Sequence, residues 1–276
     1  MKLVGGWSSD VGNVRDNNQD VALHSGNLFA VADGMGGHVG GEVAARLAVE
    51  VLEEKFQKIP TLEGLREAVI AANEKVYEHS LTNDALRGMG TTLTATALVE
   101  EAEGRSAVGL VNVGDSRAYL YAEGQLQQIT ADHSLAEERV RHGQLTEEEA
   151  AVHPHRHILT RALGVAPDVD VDLWELHVQV GDRLLLCSDG LTNEVETTEI
   201  AQILGKHADP VTASTALVAQ ALTNGGSDNV TVVVIDVEDD KPTRRGASAK
   251  KNKDIADAKP HHTHRVRRSL AHFENI

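Results

Sequence analysis

Apolar residues in this chain run in short blocks, many of them closed by glycine or aspartate. The sharpest block, Leu28 to Ala32, stops at Asp33-Gly34-Met35-Gly36-Gly37-His38. An apolar run of that length predicts a buried strand. Asp33 then sits at the strand's end, where the chain turns. A carboxylate there either carries chemistry or caps the next element. Upstream, residues 3–10 alternate loosely and predict a first strand. A polar loop from Val11 to Asp20 follows, with Arg15 among many oxygen-bearing side chains. Val21 to Leu23 and Asn27 to Ala32 predict a hairpin.

The period then changes. Residues 39–57 place Val39, Val43, Leu47, Val51 and Leu52 on one helical face, with Ala44, Ala48 and Phe56 beside it. Residues 62–80 repeat this with Leu62, Leu65, Val69, Ala72 and Val76, and Ile59-Pro60 separates the two helices. Thr91 to Val99 is strongly β-branched and predicts a strand. So do Ala107 to Val113, Ala118 to Tyr121, Leu126 to Ile129, Val169 to Leu176, Arg183 to Cys187 and Val230 to Val237. Thr197 to Leu204 and Val211 to Leu222 predict helices, and the polar stretch 135–160 predicts short helices and loops. Strands outnumber βαβ crossovers, so the fold class is α+β with packed antiparallel sheets.

Composition narrows the picture. The 276 residues are 41% hydrophobic but only 3% aromatic, so Val, Leu and Ala must build the core. The single cysteine, Cys187, excludes an internal disulfide and fits a reducing compartment. With no signal-peptide pattern and no apolar run long enough to span a membrane, the expected location is the cytoplasm. Net charge is −16 and unevenly spread. Residues 239–276 hold ten basic and five acidic side chains, a surplus of +5, so the first 238 residues carry −21. Such a body disfavours nucleic acid and repels phosphorylated substrates at long range. The expected division is a domain over 1–238 and a basic, disordered tail over 239–276.

Four aspartates share one context. Asp33, Asp115 and Asp189 end apolar runs, Asp228 precedes one, and each has glycine within two residues. Strand ends in packed sheets can converge on one edge, where four carboxylates repel unless neutralised. Oxygen ligands without Cys or His at ligand spacing point to Mg²⁺ or Mn²⁺. Glycine after Asp33 and after Asp189 lets the backbone approach an ion. The competing reading is four unrelated turn aspartates, since aspartate favours turns anyway.

Eight blocks, in order, carry a resemblance. They are Val14-Arg15 with Asn18-Gln19-Asp20, ADGMGGH from Ala32, GMGTT from Gly88, VGDSRAY from Val113, Asp132-His133-Ser134, LTRALG from Leu159, LLCSDGL from Leu185, and SDNVT from Ser227. Over residues 3–237 the chain resembles the metal-dependent, 2C-type Ser/Thr protein phosphatases in their bacterial form.

The resemblance implies a sandwich of two antiparallel sheets flanked by helix pairs. It implies hydrolysis of phosphoserine and phosphothreonine by direct attack of a metal-bridging hydroxide, with two tightly bound Mn²⁺ or Mg²⁺ ions. Asp33 would bridge the ions, the Gly34 carbonyl would bind the second, and Asp189 and Asp228 would complete the first. Asp115 would hold a third, weaker ion together with Asp189. Asp20 would support the metal waters, Arg15 would bind the substrate phosphate, and 135–160 would form a variable flap. Partners would be phosphoproteins, including Ser/Thr kinases, and the chain would act as a monomer. Animal members carry histidine directly after the Asp-Gly of the metal block. Here Met35 stands there and cannot donate a proton, so the acid would be a metal-bound water, the favoured source, or another side chain such as His38.

Other clusters carry less. Asp132-His133-Ser134 has the residue types of a catalytic triad, but a triad depends on spatial proximity and not on adjacency. His153, His155 and His157 alternate as zinc ligands could, yet they flank Pro154 in a polar segment that predicts a solvated loop, as do His261, His262 and His264 in the tail. Cys187 predicts an inert core thiol. A nucleotide hydrolase built on the glycines at 34–41 lacks the Gly-Lys-Ser/Thr of a phosphate loop. A phosphatase fold without catalysis would lack a metal aspartate, and all four are present.

Overall fold

The computed structural model describes residues 1–100 and 106–240; within it, the side chains of Gly37, His38 and Ala151 are outside the described set. The tail expected to be disordered, with His261, His262 and His264, therefore lies almost wholly beyond the described residues.

The chain forms two antiparallel sheets. The first orders β1 (Lys2–Asp10), β11 (Val230–Glu238), β10 (Arg183–Cys187), β7 (Arg117–Ala122) and β8 (Gln125–Gln128). The second orders β2 (Asp20–Ser25), β3 (Leu28–Met35), β5 (Leu93–Glu100), β6 (Ser106–Val113) and β9 (Asp172–Leu176). A two-residue strand, β4 (Gly90–Thr91), pairs with the end of β3.

Both faces of the central strands are buried, which explains the unbroken apolar runs. In β3, Phe29 and Val31 face the other sheet, while Leu28, Ala30 and Ala32 face α1 (Gly37–Phe56) and α2 (Leu62–Thr82). In β10, Leu184 and Leu186 face inward between the sheets. Leu185 and Cys187 pack under α5 (Asp189–Thr192), α6 (Thr197–Lys206) and α7 (Pro210–Asn224). The layers are therefore helix, sheet, sheet, helix, as expected. Thr61 caps α2 by accepting from the Gly64 amide, and Asp209 caps α7 with Pro210 at its first position.

The structure differs from the sequence reading in three places. The face of α1 leans toward its small residues: Ala44, Ala45, Ala48, Val49, Leu52 and Phe56 are buried, Val43, Leu47 and Val51 pack half-buried against the same core, and Val39 is 59% exposed. Small residues win the contact because α1 lies very close to β3. A Cβ on Gly34 would fall 2.1 Å from the Gly41 carbonyl oxygen. Second, β3 does not stop at Asp33. Its partner changes instead, from β5 up to Val31 to β4 at Gly34 and Met35. Third, the segment 169–176 is strand only from Asp172.

The stretch 135–160 contains α3 (Leu135–Arg141) and α4 (Glu147–Ala151). Ser134 caps α3, and Thr146 with Glu149 forms a reciprocal capping box on α4. A clasp closes the segment's root, where the Leu135 amide donates to the Ile158 carbonyl at 2.9 Å and Ser134 bridges Leu159.

Candidate active site

The sheet ends bring the singled-out residues to one cleft of about 1100 Å³. Arg15, Asp33, Gly34, Met35, Asp115, Asp189 and Asp228 line it, with His157, Arg161 and Asn193. Asp20 lies beneath: in the β2–β3 register it stands directly opposite Asp33. Like charges opposite one another across a ladder are destabilising.

The local hydrogen bonds explain why each carboxylate stays in place. Asp33 is held through its backbone: its amide donates to Thr92 Oγ1 at 3.0 Å, and its carbonyl accepts from the Thr92 amide at 2.9 Å. Thr92 Oγ1 meets Ser116 Oγ at 2.7 Å, which links the Asp33 strand to the Asp115 turn. Ser188 donates to Asp20 Oδ2 at 2.7 Å, whereas Asp20 Oδ1 is buried with no hydrogen-bond partner among the described residues. Asn193 donates to Asp189 Oδ2 at 3.1 Å. Arg15 donates to Asp228 Oδ2 at 2.7 Å. Asn229 fastens the Arg15 loop: its amide nitrogen donates to the Val11 and Asn17 carbonyls, and its oxygen accepts from the Gln19 amide.

Electrostatics sets these groups under strain. Burial, then repulsion from Asp20, Asp189, Asp115 and Asp228, pushes the Asp33 carboxyl well above the usual carboxylate range. Burial raises Asp20 to about 7, against the opposing bond from Ser188. Burial and Asp189 raise Asp115 to about 7. The bond that Arg15 donates to Asp228, helped by that carboxylate's charge, raises the pKa of the Arg15 guanidinium.

A divalent cation fits this donor set. It would relieve the repulsion, and the unpartnered Asp20 oxygen suits an ordered water. Among the described residues no group of three or more His, Cys, Asp or Glu side chains is placed to hold a metal ion by itself, so backbone oxygen and water would have to complete any ligand set. Hard cations that keep several waters bind in that way. The backbone at Gly34 is reachable because no side chain is there, and none could be, given the 2.1 Å approach.

Several groups escaped the sequence reading. Thr92, Thr94, Asn112 and Ser116 form a buried polar network, with Thr94 Oγ1 lying 2.5 Å from Asn112 Oδ1 and 3.0 Å from the Ser116 carbonyl, two acceptors for its one proton. In sequence they look like ordinary β-branched and turn residues. His157, expected in a solvated loop, lies at the cleft, with Nδ1 3.8 Å from Asp189 Oδ2; the contact to Asp189 raises its pKa. His153 instead meets Arg139, and His155 packs edge-on against His153, so the three histidines form no joint site. The Asp132-His133-Ser134 triplet is no triad. Asp132 takes a bidentate bond from Arg117, His133 grips Gly114, and Ser134 caps α3. Burial pushes the Cys187 thiol up to about 12, as an inert core thiol should behave. His38 opens α1, but its side chain lies outside the described residues.

Crowded carboxylates call for a cation, and an arginine at the rim of an acidic cleft calls for an anion. Together they place the molecule in the class of metal-dependent hydrolases acting on phosphate esters. Residues 13–225 match the protein phosphatase 2C family, and the chain belongs to it. It is 38% identical over 242 residues to the serine/threonine phosphatase stp of Listeria monocytogenes, a match covering 83% of this chain and 94% of that one. It is similar to the crystal structure of the phosphatase MsPP from Mycobacterium smegmatis in complex with cacodylate, at 43% identity and a TM-score of 0.78, covering 86% of this chain and 99% of that one. A third likeness is to the catalytic domain of the phosphatase PstP in complex with two manganese ions, at 38% identity and a TM-score of 0.75, covering 86% of this chain and 99% of that one. The enzyme is a metal-dependent protein-serine/threonine phosphatase. Among the described residues no helix is long and apolar enough to cross a membrane.

Proposed function

We propose that the cleft removes phosphate from phosphoserine and phosphothreonine with two tightly held Mn²⁺ or Mg²⁺ ions and a third, weaker one. The observation that carries this reading is the gathering of Asp20, Asp33, Asp115, Asp189 and Asp228 at one end of the sandwich, with Arg15 beside them. Asp33, the Gly34 carbonyl, Asp189 and Asp228 would hold the tight pair. Asp115, with Asp189, would hold the weaker ion. Two such ions supply Lewis acidity, activating water and neutralising charge that develops on the phosphoryl group.

The protein's own groups do the rest. Arg15 offers a guanidinium fork to the phosphate oxygens, and its bond to Asp228 keeps it at the cleft wall. Ser188 fixes Asp20 through one oxygen and leaves the other to orient water. The segment 135–160 borders the cleft through Arg156, His157, Leu159 and Thr160 near its root and serves as the flap that reads the protein part of the substrate. The domain is 1–238, acting as a cytoplasmic monomer. Its phosphoprotein substrates include Ser/Thr kinases. The basic surplus in 239–276 docks acidic partners or serves as a spacer.

The test is Mn²⁺-dependent release of phosphate from a phosphothreonine peptide. Asp33→Asn removes the shared charge and is expected to leave almost no turnover. Near-normal activity of that variant at saturating Mn²⁺ refutes the two-ion reading.

A further inference from the structure

His133 has a fully buried side chain that the reaction scheme above does not use. Its backbone amide donates to the Gly114 carbonyl at 3.0 Å, and its ring Nδ1 lies 3.0 Å from the Gly114 amide. An amide nitrogen only donates, so Nδ1 presents its lone pair and the ring proton sits on Nε2. That side of the ring faces Asp172 Oδ2 at 3.2 Å. The other Asp172 oxygen accepts from Arg161 at 2.7 Å, and Arg161 lines the cleft. The His133 carbonyl accepts from the Thr160 amide at 2.8 Å, just beyond the flap's root.

Gly114 precedes Asp115 and holds φ at +111°, where a Cβ would fall 2.6 Å from the Thr92 side chain. Gly114 therefore has little freedom of its own, and His133 holds both its N–H and its C=O, the carbonyl also accepting from Asn112 Nδ2 at 3.2 Å. We propose that His133 is a positioning residue that fixes the turn aiming Asp115 into the cleft and ties it, through Asp172, to Arg161 beside the flap. The inference rests on the reading of Asp115 as a ligand of the weaker ion. Only an imidazole presents an acceptor and a donor on opposite sides of one rigid ring. Asparagine is too short to reach Asp172, and glutamine places its polar group only on the Nε2 side.

The test compares His133→Gln, Asp172→Asn, Asp115→Asn and the Asp115→Asn/His133→Gln double variant. Mn²⁺ binding is followed by calorimetry, and the Mn²⁺ dependence of hydrolysis is measured beside it. Loss of a group that orients a ligand typically weakens metal affinity about 10- to 100-fold. His133→Gln is therefore expected to weaken the low-affinity Mn²⁺ class about tenfold and leave the tight class unchanged. Asp172→Asn should shift the weak class the same way by a smaller factor. The double variant should match Asp115→Asn alone, because His133 acts through Asp115. An additive loss in the double variant, or a weak class unchanged in His133→Gln, overturns the role of His133. If His133→Gln does not fold, Asp172→Asn decides, and a wild-type Mn²⁺ response there overturns the proposal. An unchanged weak class in Asp115→Asn overturns the reading of Asp115, and this inference with it.

Discussion

Stripping the enzyme of divalent ions should make its stability fall as pH rises from 5.5 to 8. Asp20 carries the argument, because burial lifts its pKa from 3.8 to about 7. A carboxyl whose folded pKa is raised favours the fold when protonated. Its contribution is full below the unfolded pKa and is lost as pH rises through the folded one. Between pH 5.5 and the folded pKa of about 7 lie about 1.5 units, and each unit is about 1.4 kcal/mol, so Asp20 alone costs about 2 kcal/mol. For a domain of this size that is about 4–8 °C in Tm. Asp33 and Asp115 are raised too and act in the same direction, as does His157, whose raised pKa also favours the fold at lower pH. Asp172 and Asp209 are held below the usual range, so their contributions change only at more acidic pH. The assay is a thermal melt in chelator at pH 5.5 and pH 8, repeated with Mn²⁺ and with Asp20→Asn. Mn²⁺ should raise Tm more at pH 8, and Asp20→Asn should flatten the metal-free slope. A metal-free Tm that is level or rising over this range refutes the account of a buried, self-repelling cluster.

Three further outcomes are expected. Arg15→Ala should lower kcat/KM about 10- to 100-fold, the value of a charge-assisted bond, and equally for a phosphopeptide and an aryl phosphate; a loss confined to the peptide would place Arg15 on the protein part of the substrate. His38→Ala should change both substrates by a similar small factor; a selective loss on the peptide of about a hundredfold, the scale of general-acid assistance, would make His38 the acid. Deleting 239–276 should leave aryl phosphate hydrolysis and Tm unchanged, and a Tm lower by more than a few degrees would show that the tail packs on the domain.

The strands and the aspartates were legible in the sequence for one physical reason. A strand buried on both faces must be apolar throughout, so the charge that ends it stands out, as at Asp115 and Asp189. Residues whose value depends on a distant partner left no such mark. Thr92 serves Asp33 across two strands, and nothing in the local pattern of Gly88 to Val99 separates it from a threonine chosen for β propensity. His133 was set aside correctly as a triad member, but its hold on Gly114 joins residues 19 apart. Val39 was placed on the buried face of α1 because of its hydrophobicity, whereas the Gly34–Gly41 approach selects for smallness there.

The pairing of β1 with β11 also sets the order in which the fold can close. β11 lies between β1 and β10, and all nine residues of β1, Lys2 to Asp10, find their partners among Val230 to Glu238. β1 must therefore wait for β11, more than 200 residues further along the chain, before this sheet closes. Asp228 and Asn229 arrive with that same late segment, bringing one wall of the cleft and the fastening of the Arg15 loop. A chain cut before residue 228 would lack both, and β1 would have no strand to pair with, so the loop that carries Arg15 would be left unfastened.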